Sequence, residues 1–506
     1  MEDWALGYNV EFTYVPYFLR ELSPQCINLA LIKSGYLPPS NETKTYCELG
    51  CGLGYTSLIL AACYPDYTFY AVDFNSEHIA RAQEFARKAK LDNVHFFDLS
   101  FAEFATQDLP KFDYIIAHGV WTWVAESSRQ DIIKFVNDRL NTNGAFYISY
   151  NAMPGSAPYQ PLQKIYYHLY KTLPGTPKER IAKTIEFVDR MIEKKMSYFE
   201  QFPQAKARHD SVKAKSSHYF AHEFLNANWD CYYVSEVSDA LQNARVKYVG
   251  SASLSENATS AAFEKDCKDI LSFISDNISQ EQLKDYAQAK MFRKDLFMRG
   301  AIQLPALEMI ERINELRFCV FSDPSSLSHE ISVDGQNIKL PKDGHQAIIE
   351  ALSTKPRTFA ELQQLPILSK FPYSNLFQLV GCIFEVNQIA ILRDENEIID
   401  RSPAERLNKV ILEHTKYNVG YNYFAMPEFG YGIECNQIEQ IFLKAIKEKA
   451  DPIQAAMDFL RITNETLRKD GKPITDPKEK QKVLKEAELK FRSERLPYYE
   501  KIAIAA

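Results

Sequence analysis

The stretch Tyr46-Cys47-Glu48-Leu49-Gly50-Cys51-Gly52-Leu53-Gly54-Tyr55 constrains this chain more than any other. A short apolar run meets three glycines spaced two apart and then enters a second apolar run, Thr56 to Cys63. Glycine belongs where backbone must turn tightly and approach another group without a side chain between them. A strand, such a loop and a helix N-terminus form the nucleotide-binding corner of a doubly wound α/β sheet. A dinucleotide fingerprint, G-x-G-x-x-G, would carry its third glycine where this chain has Tyr55; Gly54 comes one residue early. The strand also ends in an acid, Glu48, which repels a pyrophosphate and attracts an amino group.

The residues that follow alternate between strand and helix patterns. Thr68 to Val72 reads as a strand ending at Asp73, with Ser76 as N-cap of a helix running to about Leu91. Asn93 to Phe97 is a third strand ending at Asp98, and Phe112 to Ala117 a fourth ending at His118-Gly119. Ser128 to Leu140 reads as a helix stopped by Asn143-Gly144, before a fifth strand, Ala145 to Tyr150. Apolar strands alternating with helices predict a mostly parallel, doubly wound, Rossmann-like sheet covered on both faces. Ligands of such sheets sit at the carboxyl ends of the strands, where this chain places Glu48, Asp73, Asp98, His118 and Tyr150-Asn151.

Around this core (44–155) the chain divides into further segments. Residues 1–43 are a Tyr- and Pro-rich arm, either packed on the sheet or closing over a ligand through Tyr8, Tyr14 or Tyr17. Residues 156–217 form a helical insertion rich in Lys and Arg, either a lid above the strand ends or a solvated hairpin. Within 218–300 a helix and a strand at about 233–250 complete the sheet; a polar joint from Ser253 to Ser260 then leads to helices ending near Gly300. Residues 301–400 are α+β, with a turn at Asp334-Gly335 and a winged-helix-like order of three helices and a strand. The third of those helices, from Ser374 to Val386, is apolar rather than basic, which favours protein contact over DNA. The helical region 401–506 packs either on the body or on a second copy, so a homodimer stays open.

Composition narrows the function classes. A formal charge of −7 argues against a general nucleic-acid binder. No apolar run reaches the length of a membrane span and Met1-Glu2-Asp3 opens no signal peptide, so a cytoplasmic protein is expected. Nine cysteines without a CxxC pair fit reduced thiols. Cys47 and Cys51 lack further ligands nearby, and Glu223 follows His222 rather than His218, the wrong order for a zincin; no metal is expected.

The glycine loop with its strand-terminal acid resembles motif I of the class I S-adenosylmethionine (SAM) methyltransferases. In that reading Asp73, 23 residues after Gly50, accepts from the ribose hydroxyls. Asp98 meets the adenine, with Phe97 or Leu99 against its ring, while Glu48 and the backbone of Gly50, Cys51, Gly52 and Gly54 meet the methionine ammonium and carboxylate. Tyr14, Phe74 and His118 complete the expected cofactor contacts. Trp121 and Trp123 follow the fourth strand at the methyl end, where aromatic faces suit cations. His118, Trp121, Tyr150 and Asn151 are the expected acceptor-site residues, with His118 the candidate base. No Asn-Pro-Pro-Tyr follows the fourth strand, which disfavours amide and adenine acceptors.

Phe112 to Val124, Ser149 to Gly155, His222 to Leu225, Tyr232 to Glu236 and Lys284 to Gly300 extend the likeness over residues 8–300. They resemble class I methyltransferases that carry a methyltransferase regulatory domain, a group including bacterial protein-lysine methyltransferases acting on outer-membrane proteins. Trp121 departs from that pattern, where tyrosine is common. The resemblance implies SAM as cofactor and a protein substrate, an outer-membrane or surface protein before export, with neither nucleic acid nor membrane as partner. A small-molecule methyltransferase and a non-catalytic SAM-binding regulator are the alternatives.

Overall fold

Strand β1 (Thr45–Leu49) is buried at every position and is the middle one of the sheet's five adjacent parallel strands. The computed structural model describes residues 6–12, 14–40, 43–213, 215–256, 269–270, 273–321, 324, 327–333, 336–394, 396–417, 420–469 and 472–501. The expected turn at Asp334-Gly335 and the end of the polar joint, 257–260, lie outside them.

Helix α1 (Pro24–Lys33) precedes β1, and α2 (Tyr55–Cys63) follows it. The chain continues through β2 (Thr68–Asp73), α3 (Ser76–Ala89), β3 (Val94–Asp98), α4 (Phe101–Ala105), β4 (Phe112–Ala117), α5 (Glu126–Arg139) and β5 (Leu140–Asn151). Asn75, not Ser76, caps α3: its carboxamide accepts from Glu77 N and His78 N, and Ser76 is already the first helical residue. After helices α6 (Gln160–Thr172), α7 (Pro177–Glu193), α8 (Ser197–Gln201), α9 (Pro203–Lys213), α10 (Ser217–Phe224) and α11 (Val234–Gln242) comes β6 (Lys247–Ser251).

Helix α12 (Asn277–Gln288) is not followed by more helix. Phe292–Met298 is strand β7, inserted between β5 and β6 and antiparallel to both. The sheet order is therefore β3-β2-β1-β4-β5-β7-β6, with β7 the reversed member. Alternate residues divide between two cores: Tyr46, Tyr114 and Tyr147 face the α2 side, while Cys47, Ile115 and Phe146 face the α5 side.

The charges of β7 disguise it in the sequence. Arg293 and Asp295 are buried, and the Arg293 guanidinium reaches Asp295 at 2.9 Å, Asp285 at 2.7 Å and Glu281 at 3.1 Å. It also donates to Tyr248 Oη at 2.9 Å, and Tyr150 Oη donates to Asp295 at 2.6 Å. One arginine thus ties β5, β6, β7 and α12 together. Burial pushes the Asp285 carboxyl up to about 7, opposed by the Arg293 guanidinium and reinforced by the Asp295 and Glu281 charges.

The C-terminal half packs on the same body. In 301–400, three helices (Lys342–Thr354, Phe359–Gln363 and Tyr373–Glu385) accompany a small sheet of Arg317–Cys319, Arg357–Thr358 and Ala390–Leu392. The third helix is buried against the N-terminal segment. Arg20 lies 4.0 Å over the Phe384 ring, and Lys33 donates to Gln378 Oε1 at 2.7 Å. Helix Ser402–His414 and the hairpin Tyr423–Met426/Tyr431–Glu434 cover α2 and α3. The remaining helices close around Phe442, Phe491 and Tyr499. Among the described residues no helix is long and apolar enough to cross a membrane.

Arg293→Met will leave three buried or half-buried acids uncompensated. Denaturant unfolding will register a loss of about 3–5 kcal/mol; an unchanged midpoint would show that the network carries no stability.

Candidate active site

A cavity of about 380 Å³ opens at the carboxyl ends of β1, β2 and β4. Its floor is the glycine loop. Gly50, Gly52 and Gly54 all have positive φ, at 76°, 52° and 66°. A Cβ on Gly50 would stand 2.5 Å from Val120 Cγ2, so no other residue fits there. Gly54 does a different job from the one expected. A Cβ there would meet Phe96 at 2.4 Å and Ala82 at 2.9 Å, so Gly54 lets α2 pack closely on α3 and β3 and lies outside the cavity wall. No side chain caps α2, whose first N–H groups are therefore left to other acceptors.

Among the described residues two carboxylates line the cavity, and no Lys or Arg does. Glu48 is buried at the end of β1, where Ser57 Oγ donates to it. Burial pushes its carboxyl up to about 7, partly offset by the Ser57 hydrogen bond and reinforced by the neighbouring Asp73 charge. Asp73, at the end of β2, accepts from Gly52 N and Asn75 N at 2.9 Å each, so the carboxylate is aimed by backbone on both sides.

His118 closes the far wall at the end of β4. Its Nδ1 lies 2.8 Å from Tyr147 Oη, and burial pushes the imidazole down to about 4, opposed by Glu21 and aided by Lys294. The ring is neutral at physiological pH. Beyond it, Trp123 N donates to Val120 O at 2.9 Å, and this turn separates the two tryptophans. Trp123 lines the cavity; Trp121 points into the core against Tyr232, ring centroids 6.3 Å apart.

The N-terminal arm supplies the remaining wall through Leu6, Tyr8, Tyr14, Tyr17 and Leu19. It is held from outside by the insertion and the loop after α10. Ala227 N donates to Gly7 O at 2.8 Å, Asn9 N donates to Asn226 Oδ1 at 2.8 Å, and Arg180 pairs with Glu11 at 2.8 Å. The His222 ring meets Tyr14 edge-on at 4.8 Å, and His218 meets Phe12 at 5.5 Å. The arm is both packed and ligand-facing: one side rests on the insertion, the other looks into the cavity.

Of the expected site residues, Tyr14, Glu48, Gly50, Cys51, Gly52, Asp73, Phe74, Leu99 and His118 line the cavity. Asp98 does not; its side chain at the end of β3 is exposed, and Leu99, Ser100 and Phe101 form that wall instead. Tyr150 and Asn151 are also outside. Strand β5 continues to Asn151, which turns Tyr150 toward Asp295, and Asn151 N is bound by Thr122 Oγ1 at 2.8 Å. Wall positions without a forecast include Asn75, His78, Ser100 and Ser128. The Ser100-x-x-Glu103 capping box marks a helix start directly after β3 and was the one legible signal for Ser100.

Comparisons with known proteins agree with this arrangement. Residues 40–210 match a family described as a methyltransferase domain, and residues 216–299 match a predicted methyltransferase regulatory domain. The uncharacterized protein sll1526 of Synechocystis sp. is 32% identical over 504 residues, 99% of this chain and 100% of its own. An uncharacterized protein of Rickettsia prowazekii, RP789, is 26% identical over 302 residues, 58% of this chain and 53% of its own. Among solved structures, PKMT2 from Rickettsia typhi in complex with AdoHcy superposes with a TM-score of 0.66 at 19% identity, covering 95% of this chain and 98% of that one; it shows the shared fold. The chain belongs to the SAM-dependent methyltransferases in which a methyltransferase domain is followed by a predicted methyltransferase regulatory domain.

Proposed function

We propose that the chain is a cytoplasmic protein-lysine N-methyltransferase. The observation that carries the reading is the cavity's charge: among the described residues Glu48 and Asp73 line it without a single Lys or Arg, and Tyr8, Tyr14, Tyr17 and Trp123 add aromatic faces. Such a wall favours cations and amines over phosphorylated acceptors. The residues present fit SAM. The side-chain-free turn at Gly50 admits a ligand against the backbone, Glu48 suits an ammonium, and Asp73 suits a diol. When bound, SAM supplies an electrophilic methyl on a sulfonium.

The mouth is open rather than sealed. Leu6 and Tyr17 are 56% and 59% exposed although both line the cavity. A half-open aromatic mouth suits a long side chain presented by a macromolecule better than an engulfed metabolite. The sequence resemblance to protein-lysine methyltransferases supports the same acceptor. His118, held near 4, is too weak a base to store the proton of a lysine. Its neutral ring instead accepts a hydrogen bond from an amine that has already lost its proton to solvent through the open mouth. Trp123 packs the lysine stem. The protein acceptor is then a cytoplasmic polypeptide, including surface proteins before export.

Incubation with methyl-labelled SAM and cell-envelope extract will label protein bands whose hydrolysate contains methyl-lysine; label confined to small molecules would contradict the reading. Trp123→Ala will lower kcat/KM for protein acceptor about 10- to 100-fold. Trp121→Ala will instead cost about 3–5 kcal/mol of stability while its folded fraction keeps kcat.

Glu48 supplies a pH test. Its folded value lies above that of the unfolded chain, so its contribution to apo-protein stability is full below about 4.5 and is lost as pH rises through about 7. Glu48→Gln removes that loss. Relative to wild type, the apo variant will gain on the order of 3 kcal/mol between pH 5 and pH 8. Calorimetry will show it binding AdoHcy at least about 10-fold more weakly at pH 8. Wild-type affinity will fall as pH drops below about 7; a flat profile would remove Glu48 from the ammonium site.

A further inference from the structure

His78 sits on the first turn of α3, on the cavity wall beside Asp73, and only 4% of its surface is exposed. Its two ring nitrogens have different surroundings. Nε2 accepts from the backbone N–H of Tyr14 at 3.4 Å, which fixes the neutral ring with its proton on Nδ1. That Nδ1 is buried and has no hydrogen-bond partner among the described residues. It faces Asp73 Oδ1 at 3.7 Å, too far for a hydrogen bond. A buried donor left unmade is costly, and such a group in a cavity wall marks where a ligand atom belongs.

The chemistry of that ligand atom is narrow. It must accept from an imidazole N–H, and it sits beside a carboxylate that can only accept. A hydroxyl does both: it donates to Asp73 and accepts from His78. A carboxylate or phosphate oxygen would be repelled by Asp73, and an ammonium could not accept from Nδ1. Both Asp73 oxygens already take one backbone N–H each and keep further lone pairs for such a donor.

We propose that His78 is a second ribose ligand, receiving the hydroxyl that Asp73 holds and so setting the preference for a ribonucleoside. The inference rests on the SAM reading of this cavity. It adds a coupling: the ring that takes the hydroxyl also takes Tyr14 N–H, so nucleoside binding and docking of the arm meet on one imidazole. His78 is three residues C-terminal to the Asn75 cap, which accepts from its backbone N, so the ring is set by the start of α3.

Calorimetry with AdoHcy and with its 2′-deoxy and 3′-deoxy analogues tests this without turnover. Wild type will bind AdoHcy about 10-fold or more tightly than at least one deoxy analogue. His78→Leu will weaken AdoHcy by a similar factor, leave that analogue nearly unchanged, and shrink the preference to about 2-fold or less. His78→Asn, which can place an amide N–H near the position of Nδ1, will restore part of it. Equal weakening of all three ligands by His78→Leu, or none of any, overturns the proposal and leaves His78 a packing residue. A wild-type protein that binds none of the three overturns the SAM reading itself.

Discussion

The structure depends on a buried carboxylate at the carboxyl end of its central strand. Glu48 is enclosed between β1, the side-chain-free turn at Gly50 and the hydroxyl of Ser57, and that enclosure makes its ionised form expensive. A charge held at such a cost is repaid by a counter-charge from a ligand. Asp73 sits next in line along the sheet and raises the cost further. Two acids aimed into one small cavity by backbone geometry produce a site whose polarity alone selects a cation. Everything around them either closes that cavity or braces its walls.

The bracing comes from distant parts of the chain. The arm's inner side lines the cavity while its outer side is gripped by the insertion through Glu11 and by α10 and the loop after it through Phe12 and Asn9. The C-terminal hairpin reaches the first residue of α2: Tyr55 Oη donates to Tyr423 O at 2.5 Å and accepts from Tyr423 N at 2.8 Å. The same hairpin touches Tyr17, ring centroids 6.2 Å apart. Behind β4, the Glu21–Lys294 pair at 2.7 Å joins the arm to β7 close to His118. The regulatory-domain match and the C-terminal region thus brace the walls of the site from outside.

The local parts of this arrangement were legible in the sequence. Apolar runs ending in an acid predicted β1 and β2 with Glu48 and Asp73 at their carboxyl ends, where both line the cavity, because strand, turn and acid are neighbours in the chain. Pairings between distant residues were not legible. Arg293, Lys294 and Asp295 fell in a stretch expected to be helical up to Gly300, and only the partners from α12, β5 and β6 make β7 a buried strand. The same pairing draws Tyr150 away from the cavity. Trp121 and Trp123 differ by a turn at Val120 whose phase no periodicity reveals, and Asp98 fell outside because the wall passes to the start of α4. His78 looked like any polar residue in a first helical turn.

The central claim is that the cavity recognises a positive charge. Calorimetry comparing AdoHcy with its desamino analogue, identical except for the missing ammonium, tests it most directly. The account predicts at least about 10-fold tighter binding of AdoHcy at pH 8, and equal affinity for the two would contradict it.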